Sequence, residues 1–269
     1  MHPRALQHFL RVFVVFRSAT AYRAPTTMSA WDADRGVWVG DRAAADAVAI
    51  PQPLIIFGYG SLCWRPDALL ARCESFPCVV KGWTRLFAQR SMDHRGTPAA
   101  PGLVVTLVET PALRALPGFD AVARELADEV VGVAYRVPDD DAARVLAELD
   151  FREKGGYSRR VVDVTRVGRD ASEGDASGAS ARCLLYSATV DNPNFWWGDD
   201  GRGLDTQRAA EIISSASGPS GPNVDYLRNL GAFLREIGRT DAHVAALESK
   251  VDAILAGGGS ESSSNSREV

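Results

Sequence analysis

Leu149-Asp150-Phe151-Arg152-Glu153-Lys154-Gly155-Gly156-Tyr157 joins a helical pattern to a strand pattern. Upstream, residues 139–150 place Val145, Leu146 and Leu149 at helical spacing, with Asp139, Asp140 and Asp141 at the start, where the helix dipole favours acids. Gly155-Gly156 stops the helix, because glycine takes the backbone angles that end one without steric cost. Downstream, residues 157–167 alternate polar and apolar at the period of a half-buried strand. Glu153 therefore falls at a helix-to-strand corner, where a scaffold can aim one carboxylate into a cavity. A solvated charged turn is the plainer reading of Arg152-Glu153-Lys154, and these residues alone leave both open.

Outward from that corner the chain supplies strands and helices in mixture. Leu54-Ile55-Ile56-Phe57 is a continuous apolar run, the mark of a buried strand, and it ends in Gly58-Tyr59-Gly60-Ser61-Leu62. Glycines on both sides of Tyr59 remove side chains where the backbone must turn or approach something closely. Successive N–H groups in such a turn form an anion-binding concavity, although a simple bulge explains the glycines equally well. Residues 79–89, 103–109, 130–137 and 183–188 read as further strands. Asp93-His94-Arg95-Gly96 joins the first two of these, either as a self-bonded turn or as a pocket wall offering His94 or Arg95 to a carboxylate. Residues 209–217, 224–237 and 241–255 read as helices, with Asn223 as the N-cap of the second and Gly218-Pro219-Ser220-Gly221-Pro222 as the corner before it. His243 reads as a surface or packing residue, and Phe195-Trp196-Trp197 as a packing plug. The expected fold class is α+β, with a mostly antiparallel, barrel-like sheet.

Composition excludes several functions. Hydrophobic residues at 46% and charged residues at 24% describe an ordinary soluble globular chain, and a net charge of -4 leaves no electrostatic footprint for nucleic acid. No apolar run approaches the roughly 20 residues that span a bilayer. Cys63, Cys73, Cys78 and Cys183 show no CxxC spacing, and His2, His8, His94 and His243 are scattered, so no metal site is readable. Reduced thiols in a cytosol-like compartment are the expectation. Residues 1–31 contain Arg4, Arg11, Arg17 and Arg23 but no acid before Asp32, a composition resembling an organelle transit peptide. A disordered extension, or translation from Met28, competes with that reading. Residues 32–53 read as a tether, and 257–269 as a disordered Gly/Ser-rich tail.

Several segments, taken in order, resemble the ChaC-type, glutathione-specific γ-glutamylcyclotransferases. They are Phe57-Gly58-Tyr59-Gly60-Ser61-Leu62 with Trp64; Ser91-Met92-Asp93-His94-Arg95-Gly96-Thr97-Pro98; Pro101-Gly102-Leu103-Val104-Val105-Thr106-Leu107-Val108-Glu109; Gly132-Val133-Ala134-Tyr135-Arg136; and the stretch from Leu149 to Tyr157. Asp191-Asn192-Pro193-Asn194 and Gly218-Pro219-Ser220-Gly221-Pro222-Asn223 complete the set. The resemblance implies a γ-glutamylcyclotransferase-like β-barrel flanked by helices over residues 51–255, between an extension (1–50) and a tail (256–269). It implies lyase-type cleavage of glutathione into 5-oxoproline and Cys-Gly, with Glu153 as general base and acid and no cofactor. It also implies that Ile56, Phe57, Gly58, Tyr59, Gly60, Ser61, Leu62, Arg95 and Tyr157 contact substrate. A cytoplasmic monomer is expected, with mitochondrial or plastid targeting by residues 1–31 as the alternative address. The chain departs from the family where a tryptophan is replaced by Ala88 and a glycine by Arg90, and it carries apparent insertions over 110–129 and 168–181. A cyclotransferase for other γ-glutamyl amino acids or amines, and a non-catalytic binding protein of the same fold, remain competing readings.

Overall fold

The computed structural model describes residues 30–32, 37–39, 48–152, 157–168 and 178–261. Strand β3 (Ile55–Gly58) shows why its surroundings are apolar throughout: Ile55 and Phe57 enter one core, while Leu54 and Ile56 enter another on the opposite side. It pairs with β7 (Glu129–Arg136), β7 with β4 (Glu74–Lys81), β4 with β8 (Tyr157–Arg166) and β8 with β9 (Ser180–Ala188). The barrel closes where β9 meets β3 in parallel, at Ile56 opposite Leu184; every other contact in it is antiparallel. The mixed, mostly antiparallel barrel is therefore as expected. The first core takes residues from all five strands, Phe57, Cys78, Ala134, Val162 and Cys183 among them, and so lines the interior. Gly132 leaves room there, because a Cβ on it would lie 2.8 Å from the Phe57 ring and 2.3 Å from the Gly58 carbonyl.

The second core lies outside the barrel. Helix α3 (Asp139–Arg152) lays Val145 and Leu149 onto Leu54, Ile56, Tyr135 and Leu184. Val48 and Ile50 pack against the same cluster, so the folded unit extends upstream of β3. Strand β2 (Val37–Val39), within the expected tether, pairs with β1 (Ala30–Asp32), which spans the boundary between that tether and the stretch before it.

Several boundaries differ from the sequence reading, each for a local reason. Gly82, with a φ of 80°, turns the chain and splits the strand expected over 79–89 into β4 and β5 (Trp83–Ser91). Strand β5 pairs with β6 (Gly102–Glu109) outside the barrel. The 110–129 insertion holds two short helices, α1 (Thr110–Arg114) and α2 (Phe119–Val122). Of the 168–181 insertion, residues 169–177 lie outside the described residues, and Ser180 and Ala181 already belong to β9. Trp196 and Trp197 are buried and donate to Asp199 at 3.1 Å and to the Pro117 carbonyl at 2.7 Å, which makes them a plug.

Helices α4 (Thr206–Ser215), α5 (Asn223–Glu236) and α6 (Ala242–Glu261) cover β5 and β6, with a small hairpin of β10 (Ser217–Gly218) and β11 (Gly221–Pro222) between α4 and α5. Residues 257–261, expected in a disordered tail, continue α6. His243 is a packing residue and not a surface one: its Nε2 accepts the Phe87 N–H at 3.1 Å, and burial pushes its pKa down, which keeps that nitrogen an acceptor. Asn223 does not cap α5. Fully buried, its amide accepts the Leu103 N–H at 2.7 Å and donates to the Leu103 carbonyl at 2.8 Å, as a neighbouring strand would.

This packing sets two expectations. Asn223→Ala strands both Leu103 groups, at about 1–3 kcal/mol for each buried group left unpaired, so thermal melting should fall by roughly 5–10 °C. A melting temperature within about 2 °C of wild type would show that water replaces the amide. A chain truncated to begin at Asp46 keeps Val48 and Ile50 and should melt as the full chain does; aggregation of the shortened protein would place residues before it inside the folded unit.

Candidate active site

Strand order decides what meets at one end of the barrel. Strands β3 and β9 run parallel, so Gly58 finishes level with Tyr186, and Tyr157 begins β8 opposite Ala188. The loop of Gly58-Tyr59-Gly60-Ser61-Leu62 therefore leaves the same rim at which Tyr157 enters. Tyr59 Oη donates to the Tyr186 carbonyl at 2.6 Å, fastening the loop across the closing seam. Beyond Gly60 the chain coils into a 3-10 turn (Ser61–Cys63), with the Cys63 N–H on the Gly60 carbonyl at 2.9 Å and the Arg65 N–H on the Ser61 carbonyl at 2.7 Å. Among the described residues no acceptor takes the N–H of Gly60, Ser61 or Leu62, and all three residues are half-buried. Successive donors of this kind are what a carboxylate or an oxyanion needs.

The glycine at 60 answers to a neighbour in the protein. A Cβ there would lie 2.7 Å from Tyr226 Oη and 3.0 Å from Val105 Cγ2, so the loop lies directly on α5 and β6. Tyr226 also receives Arg95, whose guanidinium sits 5.8 Å from the ring centroid while Nη1 donates to the Pro222 carbonyl at 2.9 Å. Arg95 is buried, and desolvation pulls its pKa down against the attraction of Asp225. His94 remains at the surface, with Nδ1 3.2 Å from Ser220 Oγ and Asp93 3.7 Å from Nε2. The loop of Asp93 to Gly96 is thus tied to the β10–β11 hairpin, and through Tyr226 it neighbours Gly60. Ile56 and Phe57 are buried in opposite cores and carry the loop without lining its surface.

Glu153 lies outside the described residues, as do Lys154, Gly155 and Gly156. Arg152, the last of α3, pairs with Asp67 at 3.5 Å, so its charge is directed toward the segment beyond the loop. Asp150 accepts from Arg159 through both oxygens, at 3.1 Å from Nε, and from Tyr186 Oη at 2.7 Å. Burial, reinforced by Asp150, holds the Tyr186 phenol protonated well above its ordinary range. Tyr157 is half-buried beside the outer core. The thiol of Cys63, donating to the Gly58 carbonyl at 3.3 Å, is pushed up to about 12 by burial, so at neutral pH it is no nucleophile. Among the described residues there is no group of three or more His, Cys, Asp or Glu able to hold a metal ion, and no helix is long and apolar enough to cross a membrane.

Comparison with known proteins agrees with this geometry. A family model described as ChaC-like protein matches residues 54–254. The chain belongs to the ChaC-like family. Among ChaC-like relatives, the glutathione-specific γ-glutamylcyclotransferase of Schizosaccharomyces pombe is 36% identical over 200 residues, spanning 74% of this chain and 92% of that one. The human glutathione-specific γ-glutamylcyclotransferase 1 is 34% identical over 209 residues, spanning 76% and 81%. A crystal structure of a γ-glutamylcyclotransferase specific to glutathione from yeast superposes with a TM-score of 0.65 at 28% identity, covering 74% of this chain and 96% of the other.

The residues missed in the sequence are those that act across it. Tyr226 reads as one more apolar position of a helix, and Tyr186 as one more of a strand. Asp150 and Arg159 belong to different elements, with no shared periodicity to reveal the pair. The Gly60 contact gives a direct test. Gly60→Ala should cost about 1–3 kcal/mol of stability through overpacking, and Tyr226→Phe in the same chain should restore part of it by removing the hydroxyl. If Tyr226→Phe restores nothing, the loop does not rest on that hydroxyl.

Proposed function

We propose that this chain is a glutathione-specific γ-glutamylcyclotransferase, releasing 5-oxoproline and Cys-Gly. The observation that carries the reading is the barrel rim, where three N–H groups of a glycine loop, unclaimed among the described residues, stand on the same edge as Tyr157, the residue directly after the Arg152-to-Gly156 segment. The relatives at 34% and 36% identity, named for this activity, supply the substrate.

The reaction needs no protein nucleophile, because the substrate contains its own. The α-amine of the γ-glutamyl group, once deprotonated, attacks the δ-carbonyl carbon of the same group. A five-membered ring closes through a tetrahedral intermediate. The C–N bond to cysteine then breaks, and the departing amine takes up a proton. Holding the γ-glutamyl chain folded supplies much of the acceleration, since effective molarities of intramolecular attack are high. The N–H groups of Gly60, Ser61 and Leu62 suit the α-carboxylate in the ground state or the oxyanion in the transition state. Glu153 receives the amine proton and returns it to the leaving group, a role best served by a carboxylate with a pKa near neutrality. Arg152, the residue before Glu153, is engaged by Asp67 beyond the loop at 3.5 Å. The four free thiols suit a reducing, cytoplasm-like compartment, and the rim is assembled within one chain, which suits a monomer.

Glu153→Gln tests the assignment. The amide is nearly the same size but cannot shuttle a proton, so 5-oxoproline release from glutathione should fall by at least roughly 10²–10⁴-fold, with binding and melting temperature little changed. Glu148→Gln is the control: Glu148 pairs with Arg144 at 3.5 Å on the outer face of α3, and its loss should leave turnover intact. If Glu153→Gln keeps more than about a tenth of wild-type turnover, the proton-shuttle role is wrong. Equal turnover of γ-glutamylalanine by the wild type would move the assignment to general γ-glutamyl compounds.

A further inference from the structure

We propose that Asp150 is a positioning residue for the cyclisation, acting through Arg159 and Tyr186 to fix where α3 delivers the chain to Glu153. This rests on the reading of Glu153 as the general base. Asp150 takes three donors: Arg159 Nε at 3.1 Å and Nη2 on its two oxygens, and Tyr186 Oη at 2.7 Å. Those donors belong to β8 and β9, the strands that form the rim, and Tyr186 is the residue whose carbonyl accepts Tyr59 Oη. One carboxylate therefore joins the end of α3, the entry of β8 and, through Tyr186, the glycine loop.

The placement is not what helix stability asks for. A carboxylate in the last turn opposes the negative pole of the helix dipole, where a cation is favoured. The body of α3 is already held by Val145 and Leu149 in the outer core. The polar clamp is confined to the final turn, and Arg152 with Asp67 secures the opposite side of that turn. The Arg159 side chain is 10% exposed and that of Asp150 35%, so the pair is partly shielded and its two-pronged geometry fixes direction as well as distance. Local preference has been overridden to hold one point in space, three residues before the proposed base. Pre-organisation of this kind matters to catalysis because a displacement of about 1 Å at the reacting group costs up to roughly 10²-fold in rate.

The test compares kcat and KM for glutathione in Asp150→Asn, Asp150→Glu and Tyr186→Phe, beside Glu153→Gln, with melting temperatures for all. Asp150→Asn keeps one acceptor but loses the charge and one prong, and kcat should drop roughly 10- to 100-fold while KM changes less than about threefold. Asp150→Glu restores charge and both oxygens and should recover at least part of kcat, a rescue that bulk stability would not produce. Tyr186→Phe removes a single hydroxyl, so it reports on the clamp even if Asp150→Asn does not fold, and kcat should fall several-fold at constant KM. Wild-type kcat in folded Asp150→Asn, or in Tyr186→Phe where that chain does not fold, beside an inactive Glu153→Gln, overturns the positioning role alone. Asp150→Glu as impaired as a folded Asp150→Asn overturns it too. Turnover by Glu153→Gln instead removes the base assignment, and the positioning role falls with it.

Discussion

The parallel contact between β3 and β9 is the constraint on which the rest depends. Every other strand pair in the barrel is antiparallel. Had β9 met β3 antiparallel, its far end would have stood beside Gly58, and Tyr186 would have been a strand-length away from Tyr59. In parallel, the C-terminal ends of β3 and β9 share a rim, and β8, antiparallel to β9, starts there too. Crossover connections in parallel pairs must travel, and here the route from β3 to β9 passes through every other element of the barrel. One closing register thus gathers segments more than a hundred residues apart. Among the described residues it also leaves the loop after β3 without a strand to pair with, which is how its N–H groups remain available.

The charges near that rim are settled in pairs. Asp150 answers Arg159, and Asp67 answers Arg152. The phenols of Tyr135 and Tyr186 are pushed toward protonation by burial, and Cys63 stays a thiol for the same reason. Among the described residues, what the glycine loop itself presents is directional: backbone donors and not a side-chain cation. A substrate bearing both an ammonium and carboxylates suits such a surface, because dipoles can favour an anion without repelling the nearby amine that must attack. A lysine or arginine in the same place would bind the carboxylate more strongly and also hinder the approach of the ammonium before it loses its proton.

The sequence made visible whatever depends on local period and lost whatever depends on distance. Strand β3, helix α3 and strand β8 follow from alternation and helical spacing, and the segments of family resemblance fall in the right order. Gly82 shows the limit of pattern: residues 79–89 are β-like throughout, and only one glycine at positive φ tells that two strands lie there. Asn223 is a good N-cap by type and position, yet its amide serves β6, because a buried strand edge at Leu103 needs two partners more than the helix start needs one. His243 looked uncommitted because its partner, the Phe87 N–H, is 156 positions away. At the site, the glycine loop was legible and its supporting ring, Tyr226, was not, since a tyrosine on a helical face looks the same whether it packs a core or props a loop.

The two departures from the family pattern divide along the same line. Ala88 is wholly buried at the irregularity between Phe87 and Gln89 in β5, and its carbonyl takes the Trp196 N–H at 2.7 Å. A small side chain there belongs to the packing of the Trp196–Trp197 plug against β5. Arg90 is exposed and lines a groove of about 780 Å³ with Pro98, Trp196, Asp199 and Arg208. None of Gly58, Tyr59, Gly60, Ser61, Leu62 or Tyr157 lines that groove. Neither substitution places a side chain on the loop that presents its N–H groups. Two other resembling segments approach that loop: Pro101 to Glu109 directly, through Val105 beside Gly60, and Asp93 to Gly96 through Arg95 and the Tyr226 ring.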